Sequence, residues 1–554
     1  MKIKLLFVVL VLLLPFMGNS FSQVTDKDGN VYKTVTVDNQ EWVSNYNGPG
    51  NGDDYSSCIT ADVNGNIYIS GENLGIGSGN NIVTIKYNSS GTQIWERTYN
   101  GNSNSRDAAY SITTTESGNI YITGVVNNSY CIILKYNPIG VLEWERILNN
   151  LSLGLCIKTD IYENVYVAGY SSDNGTGPDF LTVKYDSSGV LMWARTYNGP
   201  GNDLDIAIGV GVDNYGNIYT GGYSYSGNNY LTTDYAVVKY NSSGNQQWVM
   251  RYDGPGNSLD EVYAFTVDSS GNSYITGNCR NINNSDYTTI KYNSSGIQEW
   301  VSFYNGVNDY YDGARAICVD LNGNVIVTGF SSVSSGNDNF DYATVKYNSS
   351  GAQQWIQRYN GTANQTDMAT VVVSDNNNNI FVSGKSWTGT KYEFTTVKYN
   401  SLGVQQWVQK LGGTNNSGDG HVNGIALDPS DNIYVTGPLD YTGQGKNYTT
   451  VKYSQLVSGN NISNDIPEKY KLSQNYPNPF NPTAVIRYSI PKQSIVKLVV
   501  FDALGKEIQT LVNEYQQAGT YETIFNGAAL TSGVYYYKLA AGDFISTRKM
   551  LLVK

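Results

Sequence analysis

KYNSSG, residues 86–91, returns unchanged at 239–244, 291–296 and 346–351, and near copies stand at 135 (KYNPIG), 184 (KYDSSG) and 398 (KYNSLG). With Lys452-Tyr453 included, eight Lys-Tyr pairs fall in one register, 49 to 55 residues apart. Eight tryptophans keep the same rhythm: Trp42, Trp95, Trp144, Trp193, Trp248, Trp300, Trp355 and Trp407. A self-similar period of about 50 residues marks a repeat architecture, and that length suits the four short strands of a propeller blade. In one unit, AAYSITTT (108–115) reads as strand a, IYITG (120–124) as b, CIILKY (131–136) as c and LEWERIL (142–148) as d. The turns ESGN and NPIG and one variable loop join them.

The two ends of the array are out of phase by one strand. Trp42 precedes the first Lys-Tyr pair, and no tryptophan follows Lys452-Tyr453. Pairing the strand around Trp42 with the strand around Lys452 would close a ring and remove both loose edges. The expectation is an all-β, eight-bladed propeller, with residues 28–42 supplying the closing strand or its lead-in. The a–b turns (VNGN at 63–66, LNGN at 321–324) and the c–d turns (NSSG) are near-constant, and their Asn-Gly and Ser-Gly steps supply the positive-φ residues of tight hairpins. They read as scaffold. The b–c and d–a connections vary, as in YSYSGNNYLTTD (223–234), SSVSSGNDNF (331–340) and SWTGTKYE (386–393), and variable loops on a rigid frame are where binding residues collect. Over residues 53–453 the array resembles the beta-propeller repeat family of exported bacterial proteins, which implies the fold and no particular activity.

Composition narrows the function classes. The chain has 554 residues, 47 of them Tyr and 58 Gly, with 15% charged residues and a net charge of -12. Acidity and the lack of basic clusters argue against nucleic acid. Lys2 and Lys4, the apolar run Leu5–Phe16 and the small residues Ser20 and Ser22 read as a signal peptide over 1–22, and no later run is long enough for a membrane span. Cys58, Cys131, Cys156, Cys279 and Cys318 stand singly, with no CxxC, and read as small core residues.

After the propeller (23–453), residues 454–466 read as a polar linker and 467–554 as a small β-sandwich. NYPNPFNP (475–482), DALGKE (502–507), AGTYE (518–522), SGVYYYKL (532–539) and KMLLVK (549–554) follow one another. Together they closely resemble the type A C-terminal sorting domain of the type IX secretion system. The resemblance implies type IX machinery as partner, passage through an outer-membrane translocon, and either surface attachment or release. It places the sorting signal on Asn475, Pro477, Pro479, Phe480, Asn481, Pro482, Gly533 and Lys549.

Three constellations bear on chemistry. Aspartate recurs near the start of strand a, at Asp54, Asp107, Asp205, Asp260, Asp312 and Asp367, with Ser152 and Gly420 standing in elsewhere. A carboxylate ring at the channel mouth would gather cations, calcium among them, whereas the structural alternative is a cap on each d–a turn. No dedicated calcium-loop spacing is present, and no other cofactor is implied. Gly-x-x-x-Trp resembles the docking repeat of quinoproteins, which implies packing of Trp on the adjacent blade; the adjacent cysteine pair of those dehydrogenases is missing. Sialidase-type boxes do not fit, because Trp follows Gly by four residues and the turn Asp is missing. His421 is the single histidine, which leaves no His-rich metal site and no supported Ser-His-Asp set. Trp387, outside the repeat on a variable loop, and His421 complete the candidate ligand-binding residues. The reading is an exported propeller, secreted or outer-surface attached, that binds polysaccharide or a surface protein rather than catalysing. A glycan hydrolase or lyase and a structural surface-layer component are the alternatives.

Overall fold

The computed structural model describes residues 21–25, 31–35, 40–172, 175–227, 232–255, 259–280, 284–334, 339–415, 418–454, 460–463, 467–492, 494–516, 518–527 and 530–553. The expected signal peptide lies outside these residues except for 21 and 22, as do most of 28–39 and parts of 454–466. The chain divides into two compact units, Met1–Ser454 and Gln455–Lys554. Among the described residues both are all-β; a single 3-10 turn, Val307–Asp309, is the exception, and no helix is long and apolar enough to cross a membrane.

In the first unit of the repeat, strands Tyr55–Ala61, Ile67–Leu74, Asn80–Tyr87 and Gln93–Tyr99 form one antiparallel sheet in sequence order. The same order recurs over residues 205–252, 260–304, 312–359 and 367–411. Strands b and c are buried along nearly their whole length, whereas d alternates and begins exposed. A strand covered on both faces reads as a continuous run of Ile, Val, Tyr and Thr rather than as a clean alternation. Some buried hydroxyls bond within the sheet, as where Ser70 Oγ reaches the Val83 carbonyl at 3.0 Å.

The second and third units share one seven-stranded sheet, because Leu142–Thr159 runs on as d of one and a of the next. Sequence reasoning ended strand d at 148. This is also the unit in which Ser152 replaces the usual Asp, so the connection lacks its usual lock and the backbone stays extended. The strand Gln40–Tyr46 pairs with Gly445–Tyr453, Trp42 opposite Lys452, beside Ile433–Tyr441 and Gly424–Leu427. That sheet lies against the first unit, where Asn423 Nδ2 donates to the Ser56 carbonyl at 2.9 Å.

KYNSSG forms the joint between neighbouring units as well as the turn. The tryptophan of one unit donates its Nε1–H to the carbonyl of the second turn residue in the next: Trp95 to Pro138, Trp144 to Ser187 and Trp193 to Ser242, at 3.2–3.3 Å. The Lys of the motif donates to the same carbonyl, as Lys86 does to Pro138 at 3.1 Å and Lys239 to Ser294 at 2.7 Å. Trp42 and Lys452 make the identical pair of bonds to Ser89, at 3.2 and 3.1 Å. The turn glycine sits under the indole: at Gly244, φ is +79° and a Cβ would come within 2.7 Å of Trp193. Glycine is required here twice over, for its conformation and for its missing side chain.

The C-terminal unit stacks two four-stranded sheets. One orders Asn460–Ser463, Gly519–Asn526, Thr483–Ile490 and Lys471–Leu472; the other orders Glu507–Gln516, Ser494–Phe501, Gly533–Ala541 and Phe544–Leu552. Asn460–Ser463 falls in the segment expected as linker; it pairs with the open edge of Gly519–Asn526, so part of that segment belongs to the sandwich. Alternating Ile486, Tyr488, Ile490, Leu498, Val500, Tyr537 and Leu539 fill the space between the sheets. None of the five cysteines is in a disulfide; Cys131 and Cys279 are buried and the others half-buried.

Candidate binding face

The recurring aspartates are fully buried. Asp54 Oδ2 accepts the Gly48 amide at 2.5 Å and its Oδ1 the Leu74 amide at 3.1 Å. Asp107 does the same with Gly101 and Asn127, at 2.5 and 2.7 Å, and Asp205 with Gly199 and Tyr225, at 2.6 and 3.1 Å. Asp260, Asp312 and Asp367 accept from Gly254, Gly306 and Gly361, at 2.5–2.7 Å. Asp54, Asp107 and Asp205 therefore tie a d–a turn to the end of strand b of their own unit, and Asp260, Asp312 and Asp367 hold the turn through one oxygen. The ring of ligands open at a channel mouth is corrected to a set of turn locks: a carboxylate with no exposed surface, held by backbone N–H groups, does not face solvent cations.

Burial pushes the Asp54 carboxyl up to about 6, with the Gly48 and Leu74 amides pulling the other way. A carboxyl whose folded value exceeds its unfolded one takes up a proton on folding. Its contribution is therefore fully present below the unfolded value near 4 and is lost as pH rises through 6. The melting temperature is expected to rise as pH falls from 7 to 5, with a share on the order of 1 kcal/mol from Asp54. Asp54→Asn should flatten that slope, and an unchanged slope would show that the carboxyl titrates normally.

Sequence reasoning missed the position three residues after the aspartate. In seven units strand a carries a β-bulge there, and the residues passed over by the register are Ser57, Tyr110, Leu155, Ile208, Tyr263, Arg315 and Thr370. All are at least partly exposed, unlike their buried neighbours Ser56, Ala109, Ala207, Val262, Ala314 and Ala369. A bulge re-aims one side chain out of the sheet, and it does so here at the strand end that carries the variable connections. The signal was available as a mixed column beside near-constant ones.

These residues meet half-exposed partners at the ends of strands b. Burial raises the Tyr170 phenol, with Tyr110 adding to it; burial likewise raises Tyr223, followed by Tyr170, Tyr263 and Glu261. The tyrosines of successive units are thus close enough to feel one another. The Arg315 guanidinium lies 3.6 Å from the Tyr263 ring centre and 4.9 Å from that of Phe330, which in turn packs on Tyr311 at 5.6 Å. Arg106 is bound to Glu72 at 2.7 Å and to the Tyr110 hydroxyl at 3.0 Å. The result is an aromatic band with its cations already paired or stacked.

Trp387 and His421 stand in another sector of the same strand ends. Trp387 ends strand Ile380–Trp387, half-buried, its ring 4.8 Å from that of Tyr392, over which Lys385 Nζ lies at 4.3 Å. His421 occupies the place after Gly420, 3.8 Å from Asp419, which also lies 3.6 Å from Lys446 Nζ. Burial lowers the His421 imidazole below its ordinary value, Asp419 opposing and Lys446 and Lys385 adding to the effect. Lys446 Nζ in turn lies 5.3 Å from the Tyr55 ring centre.

In the C-terminal unit, Asn475 and Phe480 are buried while Pro477, Pro479 and Asn481 are exposed and Pro482 half-buried. Both prolines of YPNP follow cis peptide bonds. Asn475 donates its backbone N–H to the Tyr537 hydroxyl at 2.8 Å and its Nδ2–H to the Pro477 carbonyl at 2.7 Å. Phe480 exchanges backbone bonds with Leu551 and Val553, at 2.9 and 3.0 Å, and Pro482 accepts from Gly527 at 2.8 Å. Gly533 opens a strand, and exposed Lys549 receives Gln474 Nε2 on its carbonyl at 2.7 Å. The motif therefore fastens the last strand of the chain. Residues 474–554 match the family model described as "Secretion system C-terminal sorting domain". The C-terminal unit is a sorting domain.

Residues 406–437 match the family model of the beta-propeller repeat. The sorting domain indicates type IX export and a surface or secreted location. No curated protein matches the chain. Among solved structures, PorZ, a surface component of the type IX secretion system of Porphyromonas gingivalis, aligns at 11% identity over 96% of this chain and 90% of its own, TM-score 0.30. A fungal alcohol oxidase in complex with copper aligns at 12% identity over 80% and 96%, TM-score 0.37. The polysaccharide lyase Uly1 aligns at 10% over 65% and 92%, TM-score 0.39. Likeness at this distance assigns no activity to the sorting-domain protein.

Proposed function

We propose that residues 40–453 form a closed ring of eight four-stranded blades, delivered by the sorting domain to the outer surface or the medium, and that the ring binds an extended ligand on its variable face. A surface polysaccharide is the ligand class that suits this face best. The observation that carries the reading is the band of half-exposed Tyr110, Tyr170, Tyr223, Tyr263 and Tyr311, built largely at bulged or strand-end positions while the rest of the repeat stays constant. Tyrosine supplies rigid, amphipathic contact area at little entropic cost, and successive units place it at intervals along a chain-like ligand. The pairing of Gln40–Tyr46 with Gly445–Tyr453 supports closure.

The test is retention of the purified protein on a panel of immobilised polysaccharides, with reducing ends assayed in parallel. Retention is expected without released sugar. Replacing Tyr110, Tyr223 and Tyr263 together by Ala should lower affinity by about tenfold or more while leaving the melting temperature within a few degrees. Equal retention by the triple variant would remove the tyrosine band from the binding site, and released reducing ends would turn the reading into a hydrolase or lyase.

A further inference from the structure

The two outer faces of the C-terminal sandwich differ. In the sheet built on Gly519–Asn526 and Thr483–Ile490, outward side chains pair with one another across the strands. Arg487 Nε meets Glu522 at 2.8 Å, and the Ser489 and Thr520 hydroxyls lie 3.1 Å apart. In the other sheet Val496, Leu498, Tyr537, Leu539 and Met550 point into the core, so the residues between them face outward. Lys497, Lys538 and Lys549 all stand on that outward side, one on each of three adjacent strands. Lys497 lies opposite Ala540, two residues along from Lys538, and Lys549 lies opposite Tyr536, two residues along the other way. The lysines therefore form a diagonal stripe with steps of about 7–8 Å.

All three are exposed, and none forms an ion pair among the described residues. The acid in these rows is Glu507, opposite Phe501, and its carboxylate accepts the Thr510 hydroxyl at 2.7 Å. Large apolar side chains share the face: Ile495 is 67% and Ile545 62% exposed, and Ile545 and Lys497 flank Ala540 in one cross-strand row. The whole unit, Gln455–Lys554, holds 10 Lys and Arg against 7 Asp and Glu, in a chain of net charge -12. Unpaired cations interleaved with exposed aliphatic side chains complement a surface that is anionic outside and apolar beneath.

We propose that this sheet face docks on an anionic lipid surface, with phosphate headgroups against the three lysines and Ile495 and Ile545 at the headgroup–acyl boundary. Lysine decides between lipid and protein. Protein interfaces favour arginine, whose rigid fork reads a fixed carboxylate, and are depleted in lysine. Three point charges on long flexible stems suit a layer of mobile headgroups, which they reach while the stems lie along apolar surface. This docking is independent of what the tyrosine band binds.

Co-sedimentation of the full chain with phosphatidylcholine vesicles, with and without about a third phosphatidylglycerol, tests this. The net charge of -12 opposes non-specific adsorption to the anionic vesicles, so binding there reports the face. Binding is expected on the anionic vesicles only. Combining Lys497→Gln with Lys538→Gln should weaken it about tenfold or more, and salt at about 0.5 M should weaken it likewise. Ile495→Ser with Ile545→Ser should lower it at unchanged charge, whereas Arg487→Gln, on the opposite sheet, should leave it as it is. These side chains are exposed, so each variant should melt within a few degrees of the native chain, which separates lost docking from lost fold. No binding to the anionic vesicles, or native-like binding by the double lysine variant, would overturn the assignment.

Discussion

A chain that starts at Asn47, lacking the strand Gln40–Tyr46, is expected to self-associate. The strand Gly445–Tyr453 would then present the edge from Tyr448 to Tyr453 that Gln40–Tyr46 normally covers, in a strand buried over its last seven residues. Long, flat, apolar edges of that kind pair with other chains unless they are covered. The deletion also removes Trp42, whose ring lies 6.0 Å from that of Tyr87 and 5.8 Å from that of Tyr434, and so takes away one inter-unit joint. Light scattering on size-exclusion eluates should show a larger particle mass than for the full chain. Adding a peptide of residues 40–46 should reverse part of the effect. A stable, monodisperse truncated chain would mean that this strand is dispensable.

The second large effect concerns the joint. Trp193→Ala is expected to cost about 3–5 kcal/mol, the range for removing a buried indole. Gly244→Ala is expected to cost about 2–4 kcal/mol, part from its positive φ and part from the close approach to the Trp193 ring. The two costs should not add. Once the indole is gone the new methyl group has room, so the double variant should recover about 1–2 kcal/mol relative to the sum. Gly77 is the control: its φ is +72° and nothing lies within 4 Å of its would-be Cβ. Gly77→Ala should therefore cost only the conformational part, about 1–2 kcal/mol. Urea midpoints for the four variants check all of this, and strict additivity at 193 and 244 would dismiss the close contact as a source of strain.

The repeat could be read from sequence because its constant residues have constant tasks. Lys86, Trp95 and Gly91 recur together since donors and acceptor of one joint lie in adjacent units, and spacing reports that dependence. The pairing of Gln40–Tyr46 with Gly445–Tyr453 followed from the same periodicity, through the phase difference at the two ends. Asp54 and its equivalents were harder: an acid at a fixed place in six of eight units reads equally as ligand or as lock, and only the burial of the side chain separates the two. The bulged positions Tyr110, Tyr263 and Arg315 escaped because a bulge breaks period-two alternation, so their direction cannot be counted along the strand.

The bond between Asn45 and Thr449 joins residues 404 apart in the chain. Contacts that distant form late, because the intervening chain must be ordered before its ends can meet. The first strand of the array must therefore wait for the last, whichever of the middle units folds first. In a polypeptide that crosses a membrane amino end first, that wait lasts until the whole array has emerged. The sorting domain follows directly in the chain, so in such a passage it and the final pairing would become available at nearly the same moment. Between emergence of Gln40 and emergence of Tyr453, the strand Gln40–Tyr46 would lack its partner.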